Sequence, residues 1–215
     1  MNQIKNIAFD LGGVVLALSY ENAIARFEEI GLKDARKHLD AFCQQGIFGD
    51  LEIGRISTEE FRVELGKIIG HEVTADECYY AWHGYVLSVP KRNLETIRLL
   101  RQQGYKVCLL SNTNSFMMRW ANSDFDGNGH GVGDYFDALY LSYQHKVMKP
   151  RREIFELMLQ GQQATAAETL FIDDSTSNCA AAEALGIRTL CPQDNADWIE
   201  PLMQLLNGNG NDNGN

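Results

Sequence analysis

Five short apolar runs, most of them separated by helical patterns, constrain the fold of this 215-residue chain more than any other feature. Runs this short, bounded by polar or turn-forming residues, are typical of strands buried on both faces. Their alternation with helices predicts an α/β fold with a parallel sheet and crossover helices. The runs are Ile4–Phe9, Tyr105–Leu110, Ala138–Leu141, Leu170–Ile172 and Ile187–Leu190.

Glycines mark the expected ends of the crossover helices. Gly104 follows a helical pattern that begins after Pro90. Gly161 and Gly186 are predicted to end the helices 152–160 and 178–185 in the same way, because glycine readily adopts the left-handed conformation that closes a helix.

The stretch between the first run and Pro90 shows helical patterns and no convincing strand. Four helical segments are expected there, beginning near Tyr20, Ala35, Ser57 and Thr74. Ser57 and Thr74 each precede a glutamate by three residues, which is the spacing of a capping box.

A helical insertion directly after the first strand is expected to lie above the carboxyl edge of the sheet. We therefore predict an α/β core of residues 1–18 and 89–206 and a helical cap of residues 19–88. Residues 207–215 consist of Gly, Asn and Asp only, and this composition predicts a disordered tail.

The net charge and the cysteine content of the chain limit the kinds of molecule that it is expected to bind and the compartment in which it is expected to work. A formal net charge of −10 argues against nucleic acid and against an anionic membrane surface. The five cysteines are scattered without a CxxC pair, and neither a signal peptide nor a long apolar span is recognisable. A soluble cytoplasmic protein is expected, with an anionic ligand bound through a local pocket or a metal ion. The oligomeric state is left open.

Polar residues that could carry chemistry follow several of the apolar runs. Asp10 follows the first run, Ser111 the second, and the pair Asp173-Asp174 the fourth, while Lys149 precedes a helix. Ligands of open α/β sheets bind at the carboxyl ends of the strands, where these residues would lie. Two acids leaving a buried strand need a balancing cation, and Mg²⁺ suits oxygen ligands.

Each of these signals has an ordinary structural explanation. Ser111 could simply cap a helix, and most lysines such as Lys149 face solvent. Adjacent residues of a strand point to opposite faces, so only one of Asp173 and Asp174 is expected to reach the site. The order of the whole set along the chain is far more specific than any member.

That order resembles the four motifs of the haloacid dehalogenase-like hydrolase superfamily. More narrowly, several segments look like the bacterial α-D-glucose-1-phosphate phosphatase branch. The resemblance implies a three-layer Rossmann-like core with a small helical cap inserted after the first strand. The segments that carry the narrower resemblance are Phe9–Gly12, Gly54–Ser57, Ser111–Asn114, Tyr140–Ser142 and Lys149-Pro150.

The resemblance also implies an Mg²⁺-dependent phosphatase that acts on a small phosphomonoester such as glucose 1-phosphate. Asp10 would be the nucleophile that forms an aspartyl-phosphate. Asp10, Asp174 and the backbone carbonyl of Gly12 would bind Mg²⁺, with Asp173 as the second choice for the metal. Asn178 could orient the water shell of the metal.

Three further positions complete the implied site. Ser111 and the backbone N–H of Asn112 would hold the phosphoryl oxygens. Lys149 would neutralise the charge that gathers on the nucleophile and the phosphoryl group.

Gly12 departs from the commonest pattern of the superfamily, whose phosphatases mostly carry an acid two residues after the nucleophile. That acid protonates the leaving oxygen and then activates water, which is typically worth about 10²–10⁴-fold in rate. The glucose-1-phosphatase branch shares the glycine. Either the leaving group needs little protonation, or a cap residue or a water molecule supplies the proton.

Three alternatives stay open at this level. A dehalogenase of the superfamily uses the nucleophile without metal but lacks the pair at Asp173-Asp174. A phosphonate-cleaving relative needs a cap lysine, and Lys33, Lys37 and Lys67 all lie in polar surroundings. The third alternative is a non-catalytic phosphate-binding or regulatory protein.

Asp124–Gly129 matches the first half of a calcium loop. Position twelve, however, is Tyr135 and not a bidentate glutamate. A glycine-rich surface turn is the simpler interpretation.

Overall fold

A five-stranded parallel sheet forms the centre of the molecule. The computed structural model describes residues 3–39, 44–193 and 195–208. Its strands are β1 (Asn6–Phe9), β4 (Lys106–Ser111), β5 (Ala138–Leu141), β6 (Thr169–Ile172) and β7 (Arg188–Leu190). The strand order is β5-β4-β1-β6-β7, and β1 lies in the middle of the sheet. The sheet that the apolar runs predict is therefore confirmed.

Helices cover both faces of the sheet, because alternate residues of each buried strand point to opposite sides. Ile7 and Phe9 of β1 belong to one apolar cluster, together with Ile97 and Trp198. Ala8 belongs to the cluster on the opposite face. The covering helices are α5 (Lys91–Gln102), α6 (Ser115–Ala121), α7 (Ser142–His145), α8 (Arg152–Gln162), α9 (Thr176–Glu183) and α10 (Ile199–Gly208).

The helices between β1 and α5 share a separate apolar cluster. Its aromatic centre consists of Phe27, Phe48, Phe61 and Trp82, with Phe27 meeting Phe48 edge to face at a centroid distance of 5.4 Å. Burial of these large side chains stabilises the helical group. The helices are α1 (Tyr20–Glu29), α2 (Gly46–Glu52), α3 (Thr58–Ile69) and α4 (Ala75–Trp82).

The helix starts of this group follow the sequence closely, with one exception. Ser57 and Thr74 both form complete capping boxes. The segment expected near Ala35 is only a short 3₁₀ turn over Ala35–Lys37, and helix α2, which begins at Gly46, was not predicted. Four of the seven residues in α2 are polar or glycine, so its apolar periodicity is weak.

Two short strands also lie where no strand was expected. β2 (Ala17–Leu18) pairs antiparallel with β3 (Val86–Ser88). These strands lie in the two chain segments that connect the sheet to the helical group. Strands of two and three residues are too short to show an alternating pattern, which explains why the sequence did not reveal them.

Several helix ends differ from the predicted ones. Gly161 lies inside α8, which continues to Gln162 and closes at Gln163 with a φ of 53°. A Cβ on Gly161 would lie 2.3 Å from the Tyr140 hydroxyl, so this glycine serves close packing. Gly104 and Gly186 do have positive φ.

Helix α9 spans Thr176–Glu183 and not 178–185. Helix α10 runs through Gly208 and so includes the first two residues of the predicted tail. Residues 209–215 of that tail lie outside the described residues. Within the described parts of the chain, no helix has both the length and the apolar character that spanning a bilayer requires.

Candidate active site

A cavity of about 90 Å³ lies at the carboxyl edge of the sheet. Asp10 and Asp174 reach it from the ends of β1 and β6, and Ser111 from the end of β4. Helices of the insertion close its opposite side. The residues that line it are Asp10, Leu11, Gly12, Leu16, Leu18, Gln44, Glu52, Trp82, Tyr85, Ser111, Asn112, Thr113, Met117, Lys149, Asp174, Ser175 and Asn178.

Lys149 is the buried cation of the site. Its Nζ lies 2.8 Å from Oδ1 of Asp10 and 2.6 Å from Oδ2 of Asp173, and only 1% of its side chain is exposed. Burial alone would lower the pKa of Lys149, but the two carboxylates outweigh burial and raise that pKa. The amine therefore stays protonated while it touches both acids.

Asp10 is an unusually basic carboxylate. Burial raises its pKa from 3.8 to about 6, an effect that nearby Asp173 increases and the cation Lys149 opposes. The backbone N–H of Leu11 donates to Oδ1 of Asp10 at 2.7 Å. About 15% of the Asp10 side chain remains exposed, so it is accessible from the cavity that it lines.

The adjacent acids Asp173 and Asp174 have different surroundings. Asp173 is fully buried, and its two oxygens accept from Lys149, from the N–H of Ser175 at 2.9 Å and from Nδ2 of Asn178 at 3.0 and 3.2 Å. Asp174 is partly exposed and lines the cavity. The expectation that the two acids would play different parts agrees with this geometry.

The carboxylates form a cluster suited to a cation. Asp10, Asp173 and Asp174 each offer an oxygen, and these oxygens all lie within 4.8 Å of one another. When all three are ionised, these carboxylates and Lys149 together carry a net charge of −2, which a divalent cation would balance. Clustered carboxylate oxygens are the ligands that Mg²⁺ prefers, so the residues present fit that ion.

Asn112 has a structural role that the sequence did not reveal. Its Nδ2 donates to the backbone carbonyl of Lys149 at 2.9 Å, and its Oδ1 accepts from the N–H of Lys149 at 2.8 Å. The side chain thereby fixes the main chain that carries the buried cation. Ser111 is buried and lines the cavity. Within the described chain, the Ser111 hydroxyl makes one hydrogen bond, a long contact of 3.3 Å in which it donates to the carbonyl of Asn112.

The space beside Gly12 is occupied by Leu18. A Cβ on Gly12 would lie 2.7 Å from Cδ1 of Leu18. Leu18 is itself held by Asn195, whose Oδ1 accepts from the N–H of Leu18 at 2.8 Å and whose Nδ2 donates to its carbonyl at 3.1 Å. Position 12 therefore carries no side chain, and the apolar side chain of Leu18 fills the space beside it.

Residues of the insertion form the roof of the cavity, and none of them was predicted from the sequence as a site residue. They include Gln44, Glu52, Trp82 and Tyr85. Nε2 of Gln44 donates to the hydroxyl of Tyr85 at 3.0 Å. Trp82 is the last residue of α4, and Tyr85 ends the 3₁₀ turn that follows it. A roof position cannot be distinguished from a core position by apolar periodicity alone.

The turn after α2 rests directly on the core. Gly54 has a φ of +66°, and a Cβ there would lie 2.1 Å from the carbonyl oxygen of Tyr143. Nζ of Lys146 donates to the carbonyl of Gly54. Oγ of Ser142 donates to the carbonyl of Glu52 at 2.6 Å and accepts from the N–H of Thr113 at 3.0 Å. This chain of bonds ties the roof to the loop after β4.

The loop over Asp124–Gly129 is closed by its own hydrogen bonds. The Asp126 carboxylate accepts from Nδ1 of His130 and from the hydroxyl of Tyr135, both at 2.8 Å. Asp124 accepts from the N–H of Gly129 at 2.7 Å. These contacts are those of a surface turn.

The three cap lysines considered for a phosphonate-cleaving enzyme do not line the cavity. Lys33, Lys37 and Lys67 are exposed. Lys37 pairs with Asp34 at 2.8 Å and Lys67 with Glu64 at 2.6 Å. They are solvated charges.

Comparison with known proteins gives consistent matches. A family model described as haloacid dehalogenase-like hydrolase matches residues 4–186. The D-ribitol-5-phosphate phosphatase of Bacteroides thetaiotaomicron is 44% identical over 205 residues, which cover 95% of this chain and 99% of that protein. A sesquiterpene phosphatase of Aspergillus oryzae is 28% identical and matches 94% of this chain and 96% of its own length.

Solved structures agree with the sequence matches. A predicted HAD-like family hydrolase from Porphyromonas gingivalis superposes with a TM-score of 0.90 at 41% identity, covering 95% of this chain and 98% of that one. A HAD family enzyme from Bacteroides thetaiotaomicron, in complex with magnesium and inorganic phosphate, gives 0.83 at 35% identity, with coverages of 92% and 98%. Mg²⁺ is the cofactor of phosphatases of this kind. The chain therefore belongs to the haloacid dehalogenase-like hydrolase family and is a phosphatase of that family.

Proposed function

We propose that this protein hydrolyses the phosphomonoester of a small polyhydroxylated metabolite through an aspartyl-phosphate on Asp10, with Mg²⁺ as cofactor. The contact between Asp10 and the buried amine of Lys149, beside the cavity and within the carboxylate cluster, carries the proposal. A nucleophilic carboxylate needs such a cation nearby when it meets a phosphate dianion.

In the proposed reaction, the Asp10 carboxylate attacks phosphorus in line with the leaving oxygen. The hydroxyl of Ser111 and the N–H of Asn112 hold phosphoryl oxygens, and Lys149 neutralises negative charge on the nucleophile and the phosphoryl group. Water then cleaves the aspartyl-phosphate. Asp10, Asp174 and the carbonyl of Gly12 would hold Mg²⁺, which would supply charge neutralisation for the substrate phosphate.

Asp173 and Asn178 are assigned positioning roles in this scheme. Both oxygens of Asp173 already accept hydrogen bonds from protein donors, which favours Asp174 as the metal ligand. Asp173 would hold Lys149 in place, and Asn178 would hold Asp173. This assignment replaces the expectation that Asn178 orients metal-bound water directly.

Two observations support the proposed substrate class: the polar residues in the roof of the cavity and the activity of a similar protein. Gln44, Glu52 and Tyr85 place polar groups opposite the phosphate site, which suits a hydroxylated leaving group. D-ribitol 5-phosphate is the first candidate, since a relative at 44% identity is a D-ribitol-5-phosphate phosphatase. Glucose 1-phosphate, which the sequence resemblance suggested, is the second.

We extend the proposal to the domain division. Residues 19–88 would act as the cap over a core of residues 1–18 and 89–206, because the helices of the insertion have their own apolar cluster and roof the cavity. The cytoplasmic location stays a prediction from the sequence.

Phosphate release from a panel of sugar and polyol phosphates with Mg²⁺ tests the function. We expect release from at least one polyol phosphate, its loss with a chelator, and its loss in Asp10→Asn. Release that survives Asp10→Asn would overturn the nucleophile. No release from any substrate, together with phosphate binding, would favour a non-catalytic binder.

A further inference from the structure

None of the residues given a role so far supplies a proton to the leaving oxygen. The usual position of that donor is Gly12, and Leu18 fills the space beside it. A donor must therefore come from elsewhere around the cavity, and the roof is the side that faces the leaving group once the phosphate lies against Asp10 and Lys149.

We propose that Glu52, at the end of helix α2, is the general acid and general base of the reaction. This inference rests on the proposed phosphatase function and adds the catalytic group that Gly12 does not supply.

Among the described residues lining the cavity, the ionisable ones are Asp10, Glu52, Tyr85, Lys149 and Asp174. Asp10 is the nucleophile, Lys149 is locked between two carboxylates, and Asp174 belongs to the metal cluster. A tyrosine ordinarily titrates near pH 10 and is a poor base at neutral pH. Glu52 is the remaining group, and a carboxyl group can both give and take a proton under these conditions.

The main chain at Glu52 is fixed relative to the phosphate site. Its carbonyl accepts from Oγ of Ser142 at 2.6 Å, and Oγ of Ser142 in turn accepts from the N–H of Thr113 in the loop after β4 at 3.0 Å. Gly54, two residues later, sits against the backbone of Tyr143 at a distance that only glycine permits. Only 8% of Glu52 is exposed. The main chain that carries the Glu52 side chain is therefore held in a fixed position at the cavity that Glu52 lines.

The proposed proton movements balance over one cycle. As the bond from phosphorus to Asp10 forms and the bond to the leaving oxygen breaks, the carboxylic acid of Glu52 gives its proton to that oxygen, and a neutral alcohol departs. The Glu52 carboxylate then takes a proton from water as the water oxygen bonds to phosphorus and the bond to Asp10 breaks. Phosphate leaves, and both carboxyl groups return to their starting states.

The decisive experiment compares Glu52→Gln with the wild-type enzyme on two leaving groups. With a polyol phosphate, whose alcohol is a poor leaving group, we expect kcat to fall by about 10²–10⁴-fold. With p-nitrophenyl phosphate, whose leaving group needs no proton, we expect a rapid burst of about one nitrophenolate per enzyme, followed by slow turnover. Mass spectrometry of the quenched variant should then show a phosphorylated Asp10.

Two further variants separate catalysis from structure. Glu52→Asp retains a carboxyl group and should recover part of the lost kcat. Asp50→Asn removes a carboxylate from the same helix that pairs with Arg55 at 2.9 Å and does not line the cavity. It should leave kcat unchanged.

A rise in KM with unchanged kcat in Glu52→Gln would show that Glu52 only binds substrate. Equal losses on both leaving groups without a burst would also overturn the proposal. If Glu52→Gln does not fold, the kcat values of Glu52→Asp and wild type on the two substrates test the proposal instead. A displaced acid must slow hydrolysis of the polyol phosphate more than that of p-nitrophenyl phosphate. Failure of the phosphatase itself is distinguished by Asp10→Asn, which must abolish the burst whatever Glu52 does.

Discussion

Replacing Asp10 by asparagine is expected to stabilise the metal-free protein at neutral pH. Asparagine has the shape of the carboxylic acid but cannot ionise, so it avoids the cost of a buried charge. The pKa of Asp10 is raised from 3.8 to about 6, chiefly by burial. At about 1.4 kcal/mol per unit of pKa, the ionised form destabilises the native state by up to about 3 kcal/mol.

The sign of the pH dependence follows from linkage. Between about pH 4 and pH 6 the folded chain holds the Asp10 proton more tightly than the unfolded chain. Below that window Asp10 therefore does not lower the free energy of unfolding. As the pH rises through the window its ionisation lowers that free energy progressively, and above the window the loss is complete. Asp10→Asn should match the wild type near pH 4 and exceed it by about 1–3 kcal/mol at pH 7. For a chain of this length that gain corresponds to roughly 2–4 °C in Tm per kcal/mol.

Thermal unfolding in a chelator, measured from pH 4 to pH 7.5, checks this prediction. Asp76→Asn is the matched control, because Asp76 is an exposed carboxylate that pairs with Arg119 at 3.0 Å, and such pairs contribute little. An Asp10→Asn protein that is less stable than wild type at pH 7 would refute the reasoning. It would mean that the ion pair with Lys149 outweighs the cost of burying the Asp10 charge.

Three other outcomes are expected. Saturating Mg²⁺, at about 100 times its Kd, should stabilise the wild type by about 2.7 kcal/mol, and Asp174→Asn should remove most of the resulting shift in Tm. Lys149→Met should abolish turnover and lower the free energy of unfolding in urea by about 3–5 kcal/mol, because it leaves a buried carboxylate pair without its cation; an unchanged urea midpoint would contradict this. Gly12→Asp alone should not rescue Glu52→Gln, since its side chain collides with Leu18. Gly12→Asp combined with Leu18→Ala should restore part of the polyol phosphate activity, and equal activity with and without Leu18→Ala would argue against the steric explanation.

The sheet and the lower half of the site could be predicted from the sequence because both depend on local patterns. Buried strands are continuous apolar runs, and the residue that ends each run must lie at the same edge of a parallel sheet. Asp10, Ser111 and Asp174 follow this rule directly. Capping boxes at Ser57 and Thr74 are equally local.

The roof and the supporting contacts could not be predicted in this way. Asn112 holds Lys149 across 37 positions of chain, and Ser142 holds Glu52 across 90. Such contacts depend on how the insertion packs against the core, and the apolar periodicity of the sequence gives no information about that packing. Gly161 illustrates the same limit, since a glycine near a helix end can serve packing against Tyr140 and not termination.

The contact between Gly12 and Leu18 has a consequence for how such an enzyme can evolve. Leu18 belongs to the strand that leads into the insertion, and Asn195 holds its main chain on both sides. An acid at position 12 would therefore have to displace the Leu18 side chain, losing packing there as it gained a proton donor. If Glu52 of the insertion supplies the proton, as proposed above, one segment carries both the roof over the substrate and the acid. Changes of substrate and changes of proton donor then become linked.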